Sequence, residues 1–183
     1  TVVIVTADHG EEFGEHGGLL HGGKLFEELL RVPLIVAGRG VPRGVTNPNL
    51  VSLVDITPTM LSLAGLPVPP EMEGRNLLDS TDDVQWPSQR IFAQYGNRLY
   101  CVRGPRWKLI HRPAHDAVKL FDLHRDPGER SNVRDRYPEI TESLLDELRV
   151  WRDARPRLDL SPRPSGELSP EKIEELKALG YVE

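Results

Sequence analysis

Asp8 and His9 stand side by side at the end of a short apolar run, and the stretch behind them carries Glu11, Glu12, Glu15, His16, His21 and Lys24 among many glycines. A carboxylate beside an imidazole offers two ligands to a divalent cation. His21 and Lys24 are donors that could meet the oxygens of an anionic group or protonate a leaving oxygen. Each has a plainer reading as well: Asp8 capping a turn, His9 satisfied by a backbone carbonyl, His21 in a structural turn, and Lys24 on a solvated surface.

The flanking elements place this cluster. "TVVIVTA" at 1–7 is β-branched and continuously apolar, as is "VPLIVAG" at 32–38, which predicts two neighbouring or near-neighbouring strands buried on both faces of a parallel sheet. In such a sheet ligands collect beyond the carboxyl ends of the strands, where Asp8 and His9 emerge, and His21 is expected to converge on them there. "KLFEELLR" between the strands fits a short helix. A second helix is expected over 55–64 against the sheet, with Asp55 capping it and Pro58 in its first turn. The proline-rich, acidic stretch from Pro67 to Gln89 reads as a surface connection.

Beyond it the pattern changes. "RIFAQY", "RLYCVRG", "RWKLIHR" and "VKLFDL" predict an antiparallel meander over about 91–122. An amphipathic helix over 138–152 follows, with Ile140, Leu144, Leu145, Leu148 and Trp151 on one stripe. A proline-rich linker then leads to a last helix capped by Ser169 and stopped by Gly180. The expected division is 1–85 as part of an α/β domain, 86–155 as a subdomain of sheet and helix, and 156–183 as linker and terminal helix.

Composition sets outer bounds. A chain of 183 residues with 38% hydrophobic and 28% charged residues suits a globular fold. Its net charge of −5 gives no general attraction to nucleic acid. No apolar run is long enough for a membrane span. Cys101 is the sole cysteine, which excludes an internal disulfide and reads as a small strand residue. His111 and His115 read as solvent-exposed, His124 as part of a turn shaped by Asp126, Pro127 and Gly128, Trp86, Trp107 and Trp151 as packing residues, and "ERSNVRDR" as a solvated face. Trp107, beside Arg106 and Lys108, could also line a substrate entrance. Because the chain opens on Thr1 inside an apolar run, its beginning is expected to lie elsewhere.

Taken in order, "VVIVTADHGEEFGEHG", "HGGKLFEELLRVPLIV", "LVSLVDITPTMLSLAGLP", "EGRNLL", "RGPRWKLI" and "KLFDLHRDPGERSNV" resemble the second half of the sulfatase family of the alkaline phosphatase superfamily. The resemblance implies a partial α/β sandwich followed by a small antiparallel sheet and helix. It implies that Asp8 and His9 ligate a divalent metal, with calcium usual in the family and manganese or zinc suited to the imidazole. The family places a cation four residues before an aromatic-Glu pair, here Phe26-Glu27, and that position is Gly22. His21 is therefore preferred as the group on an anionic oxygen, with Lys24 second. His16 is assigned a loop hydrogen bond and Arg31 a structural place. Family members act on sulfate esters, and the likeness favours a periplasmic or extracellular setting.

The family nucleophile, a Cys or Ser in a C/S-x-P-x-R pattern that is oxidised to formylglycine, is absent from this sequence; in "CVRGPR" the residue two beyond Cys101 is Arg103. The expectation is a fragment that holds half of an active site, inactive by itself, with formylglycine and further ligands in a preceding part. Alternatives within the superfamily are phosphoryl transfer or phosphonate and phosphodiester hydrolysis. A non-catalytic remnant serving as a binding module is the alternative outside it.

Overall fold

The computed structural model describes residues 1–79, 90–155 and 169–178. The expected domain boundary at 85–86, Trp86, most of the linker and Gly180 lie outside the described residues.

Strand β1 (Val2–Thr6) pairs with β4 (Leu34–Gly38), with Val2 opposite Gly38 and Thr6 opposite Leu34. The two strands are neighbours, but they run antiparallel, and this corrects the parallel expectation. A parallel return needs a crossover that carries the chain back along the whole strand. The connection here holds only the two-residue strands β2 (Glu12–Phe13) and β3 (Leu19–Leu20) and a single helical turn, α1 (Glu27–Leu30). Burial on both faces is corrected too: Val2 and Ile4 are half-buried, whereas Val3 is 53% and Val5 51% exposed.

Helix α1 is short for local reasons. Phe26 at its N-cap provides no side-chain cap, Glu27 and Glu28 favour its first turn, and Arg31 turns extended just before the Val32-Pro33 pair. Helix α2 (Ile56–Leu63) follows a 3₁₀ turn at Leu53–Asp55. Asp55 caps, but not α2. Its carboxylate accepts from the Ser52 amide at 2.8 Å, forming a capping box on the 3₁₀ turn, and from the Arg75 amide at 3.1 Å. Thr59 donates to the Asp55 carbonyl and accepts from Leu77, so residues 75–77 are pinned to this helix. Val54 and Met60 are each 54% exposed, so the apolar stripe is only partly covered.

The meander is present. Strands β5 (Ile91–Tyr95), β6 (Leu99–Arg103), β7 (Trp107–Arg112) and β8 (Ala117–Asp122) form one antiparallel sheet in chain order. Helix α3 (Pro138–Asp153) covers one face through Leu144 and Leu148, which pack on Tyr100, Val102, Leu109, Val118 and Leu120. Leu25 and Phe26 cover the other face, against Leu99, Cys101, Ile110 and Phe121. With both faces covered, successive residues of β6 are buried in spite of the alternation of the pleat. Cys101 is buried, as its strand position predicts. Helix α4 (Pro170–Ala178) starts where Ser169 Oγ accepts from the Lys172 amide. No helix among the described residues is long and apolar enough to cross a membrane.

Three surface expectations need correction. His111 is buried, because it lies on the α3 face of the sheet, whereas His115 and His124 are exposed. Trp107 and Lys108 do not line one entrance together: Trp107 packs on Tyr137 beside α3, and Lys108 is fully buried on the opposite face. Within "ERSNVRDR", Glu129 is buried and Asn132 accepts from the Leu120 amide, so that stretch is not a uniform solvated face. Alternating strand registers set which side of the sheet each residue meets, and these positions happen to face packed layers.

Candidate functional site

Strand β1 ends at Thr6, and the chain turns sharply through Asp8, His9 and Gly10. The turn is clamped from below: the Gly10 amide donates to the Leu29 carbonyl at 2.8 Å, and a Cβ at position 10 would overlap the Glu28 carbonyl oxygen. Only glycine fits there.

Asp8 Oδ1 accepts from the His9 amide at 3.0 Å, and Oδ2 lies 3.8 Å from His9 Nε2. The other ring nitrogen of His9, Nδ1, is 2.8 Å from the Gly10 carbonyl oxygen. A carbonyl oxygen only accepts, so that contact places a proton on Nδ1 and makes Nε2, on the side of Asp8, the ring nitrogen available to a metal. The same contacts are those of a capped turn, so the local geometry serves both readings.

His21 arrives by a different route. The β2–β3 ribbon returns the chain toward the turn, and Leu20 and Gly22 on either side of His21 adopt the left-handed backbone region, with φ of 69° and 103°. The His21 and His9 ring centroids are 4.4 Å apart, tilted by 34°. His21 Nδ1 lies 3.3 Å from Glu11 Oε2. The structure thus brings Asp8, His9 and His21 together at the carboxyl end of β1 and adds Glu11, which was not among the expected site residues. Its position two residues after His9 in an acid-rich turn was the available signal. The other Glu11 oxygen, Oε1, is buried and has no hydrogen-bond partner among the described residues. Tyr95, at the end of β5, comes close to the same loop: its hydroxyl is 3.6 Å from where a Cβ on Gly22 would sit.

Lys24 is placed elsewhere. Its ammonium donates to both Glu12 oxygens at 2.7 Å and to the His16 carbonyl at 2.9 Å. Glu12 is buried and also accepts from the His16 and Gly18 amides. The Lys24 hydrogen bond leads the influences that hold the Glu12 carboxyl below its ordinary value, ahead of the opposing effect of burial. All three Lys24 donors are used inside the loop. His16 is likewise engaged: Nδ1 is 2.6 Å from Glu28 Oε1, Nε2 is 3.2 Å from the Glu129 carbonyl oxygen, and the ring stacks on Phe26 at 3.7 Å.

Among the described residues no group of three His, Cys, Asp or Glu side chains is arranged to hold a metal ion. Asp8 and His9 offer two donors of suitable chemistry. Cys101 offers no nucleophile, since burial, foremost, pushes its thiol up to about 12.

The family model described as "N-sulphoglucosamine sulphohydrolase, C-terminal" matches residues 14–154. Arylsulfatase K of Canis lupus familiaris is 34% identical over 164 residues, which cover 81% of this chain and 30% of that protein. Delta 4,5-hexuronate-2-O-sulfatase of Bacteroides thetaiotaomicron is 30% identical over 151 residues, covering 73% of this chain and 30% of that protein. The chain therefore spans about 30% of the length of these curated relatives. Among solved structures, the phosphonate monoester hydrolase of Agrobacterium radiobacter is similar with a TM-score of 0.68 and 25% identity, over 84% of this chain and 35% of that one.

Proposed function

The chain belongs to the sulfatase family, and from that premise we propose that it is the C-terminal part of a metal-dependent enzyme that hydrolyses sulfate esters. The observation that carries this reading is the convergence of His9 and His21, with ring centroids 4.4 Å apart, on the carboxyl end of β1 beside Asp8. A relative named for hexuronate-2-O-sulfate supports a saccharide sulfate as the ester.

In this reading Asp8 and His9 are two ligands of a divalent cation, and the rest come from outside this chain. The donor set fits as a partial one: an exposed carboxylate and an imidazole whose Nδ1 proton is committed to the Gly10 carbonyl. Calcium is the first choice, and the imidazole makes manganese or zinc the alternatives. When bound, the cation would polarise a sulfate oxygen. The nucleophile, a formylglycine in the family, is also assigned to the part outside this chain, because the only cysteine here is sealed in the sheet.

His21 has the substrate role. Glu11 at its Nδ1 orients the ring and defines the nitrogen that carries a proton on that side. With its Nδ1 proton directed at Glu11, the ring donates from Nε2 only when that nitrogen is protonated as well; the imidazolium, its charge balanced by Glu11, can then give a hydrogen bond to an ester oxygen as negative charge develops on it or a proton to the departing alkoxide. Gly10, packed without space under Leu29 and Glu28, fixes the turn so that little ordering remains to be done when substrate arrives.

A second reading, hydrolysis of a phosphonate or phosphate ester, is supported by the likeness to phosphonate monoester hydrolase. Both readings are decided in the complete protein by kcat/KM on a matched aryl sulfate and aryl phosphonate, before and after chelation. Preference for the sulfate, lost on chelation and restored by calcium or manganese, is expected. Residues 1–183 alone should show no turnover; turnover by this piece would mean that the nucleophile lies within it.

A further inference from the structure

Three charged side chains meet between the C-terminal sheet and the loop that carries the site, Lys108 and Glu129 buried and Glu27 half-buried. Lys108 on β7 is fully buried, with Nζ 3.0 Å from Glu27 Oε1 and 2.8 Å from Glu129 Oε1. The second contact is an ion pair rather than a well-aimed hydrogen bond. Arg103 on β6 approaches the other Glu27 oxygen at 3.4 Å. Burial acts to raise the Glu27 carboxyl, but Lys108 and Arg103 outweigh it and hold the group below its ordinary value.

Glu129 does more than pair with Lys108. Its Oε2 accepts from the Glu27 amide at 2.5 Å, so it caps the first residue of α1, whose own N-cap, Phe26, has no side chain able to do so. Its carbonyl oxygen meets His16 Nε2, and its backbone sits at φ 50°. At the far end of α1, Leu29 accepts from the Gly10 amide and the Glu28 carbonyl closes over Gly10. The path from the sheet to the Asp8–His9 turn is therefore unbroken: Lys108, Glu129, the Glu27 amide, α1, Gly10.

Two buried charges with a half-buried third, and a glutamate in the left-handed region, are a costly way to join two layers, since apolar residues of similar volume often stabilise as well or better. We infer that the Lys108–Glu27–Glu129 cluster is a positioning device that sets the Asp8–His9 turn through α1. Glu129 is its central positioning residue. Its consequence for catalysis rests on the sulfatase reading; the mechanical coupling does not.

The experiment uses the complete protein and Glu129→Gln, with Leu144→Ala as a control that loosens the opposite face of the sheet. Hydrogen exchange at the Gly10 amide, resolved by overlapping peptides, is compared after matching the two variants for distance below their melting temperatures. Exchange at Gly10 at least about tenfold faster in Glu129→Gln than in Leu144→Ala is expected, from loss of a charge-assisted bond on that path. Divalent-cation affinity and kcat on aryl sulfate should fall with it while KM stays nearly constant. Equal exchange at Gly10 in the two variants overturns the inference, whatever the activities. If Glu129→Gln does not fold, Lys108→Met/Glu129→Met removes both charges, leaves Glu27 to Arg103, and is judged by the same readout. If the parent protein turns over no sulfate ester but Gly10 still responds, the functional reading fails and the positioning role stands.

Discussion

The imidazoles of His9 and His21 lie 4.4 Å apart, one delivered by the end of β1 and the other by the return of the β2–β3 ribbon. Each ring has a different anchor: a backbone carbonyl for His9, the Glu11 carboxylate for His21. The two can therefore be separated by mutation. On the proposed reading, Asp8→Ala or His9→Ala in the complete protein should weaken divalent-metal affinity by at least about 100-fold and remove turnover with it. His21→Ala should leave most metal affinity intact, by calorimetric titration, while kcat falls by about 10²–10⁴-fold.

Lys24 separates a substrate role from a loop role. Because its donors are spent on Glu12 and the His16 carbonyl, Lys24→Met should lower the melting temperature by a few degrees, and turnover per folded molecule should fall less than in His21→Ala. A loss as deep as that of His21→Ala, with the melting temperature unchanged, would give Lys24 the substrate role instead. Scanning calorimetry and single-point assays on the same samples decide it.

Cys101 should resist alkylation. With the thiol at about 12 and 1% exposed, iodoacetamide at pH 8 is expected to leave it unmodified in the folded protein and to label it fully in denaturant. Intact-mass spectrometry reads the result.

His111 introduces a pH dependence of stability. Burial, ahead of the influences of Asp116, Arg149 and Arg152, lowers it from its ordinary 6.5. Unfolding restores the ordinary value, so as pH falls below 6.5 the unfolded chain takes up a proton that the folded chain refuses, and stability declines toward the lower folded value. Above 6.5 this contribution is complete. Asp116 at 3.8 Å on one side and Arg149 and Arg152 on the other are the charged groups that face it. Urea titrations between pH 5 and 7.5 should show this slope in the parent and a shallower one in His111→Gln.

Much of the layout was legible in the chain because it is written in local periodicity. The meander appeared as short β-branched and aromatic runs between turn residues, and α3 as apolar residues at helical spacing from Ile140 to Trp151. Asp8 and His9 could be picked out by residue type at a strand end, whereas the preference for His21 over His16 and Lys24 rests on the family resemblance; Cys101 could be refused as a nucleophile from its neighbours alone.

What the sequence by itself could determine was which segments form strands and helices, and which side chains are candidates for chemistry, since both depend on residues close along the chain. The tertiary structure alone decided the direction of β4 against β1, the inward turn of Lys24 onto Glu12, and the meeting of Lys108 with Glu27 and Glu129. The reason is physical. A strand's composition is the same in either direction, and a lysine's surroundings are set by whichever layer folds over it. Glu129 could read as a surface residue because its partner amide lies 102 residues away, and only the packing of Phe26 onto the sheet brings the two within 2.5 Å.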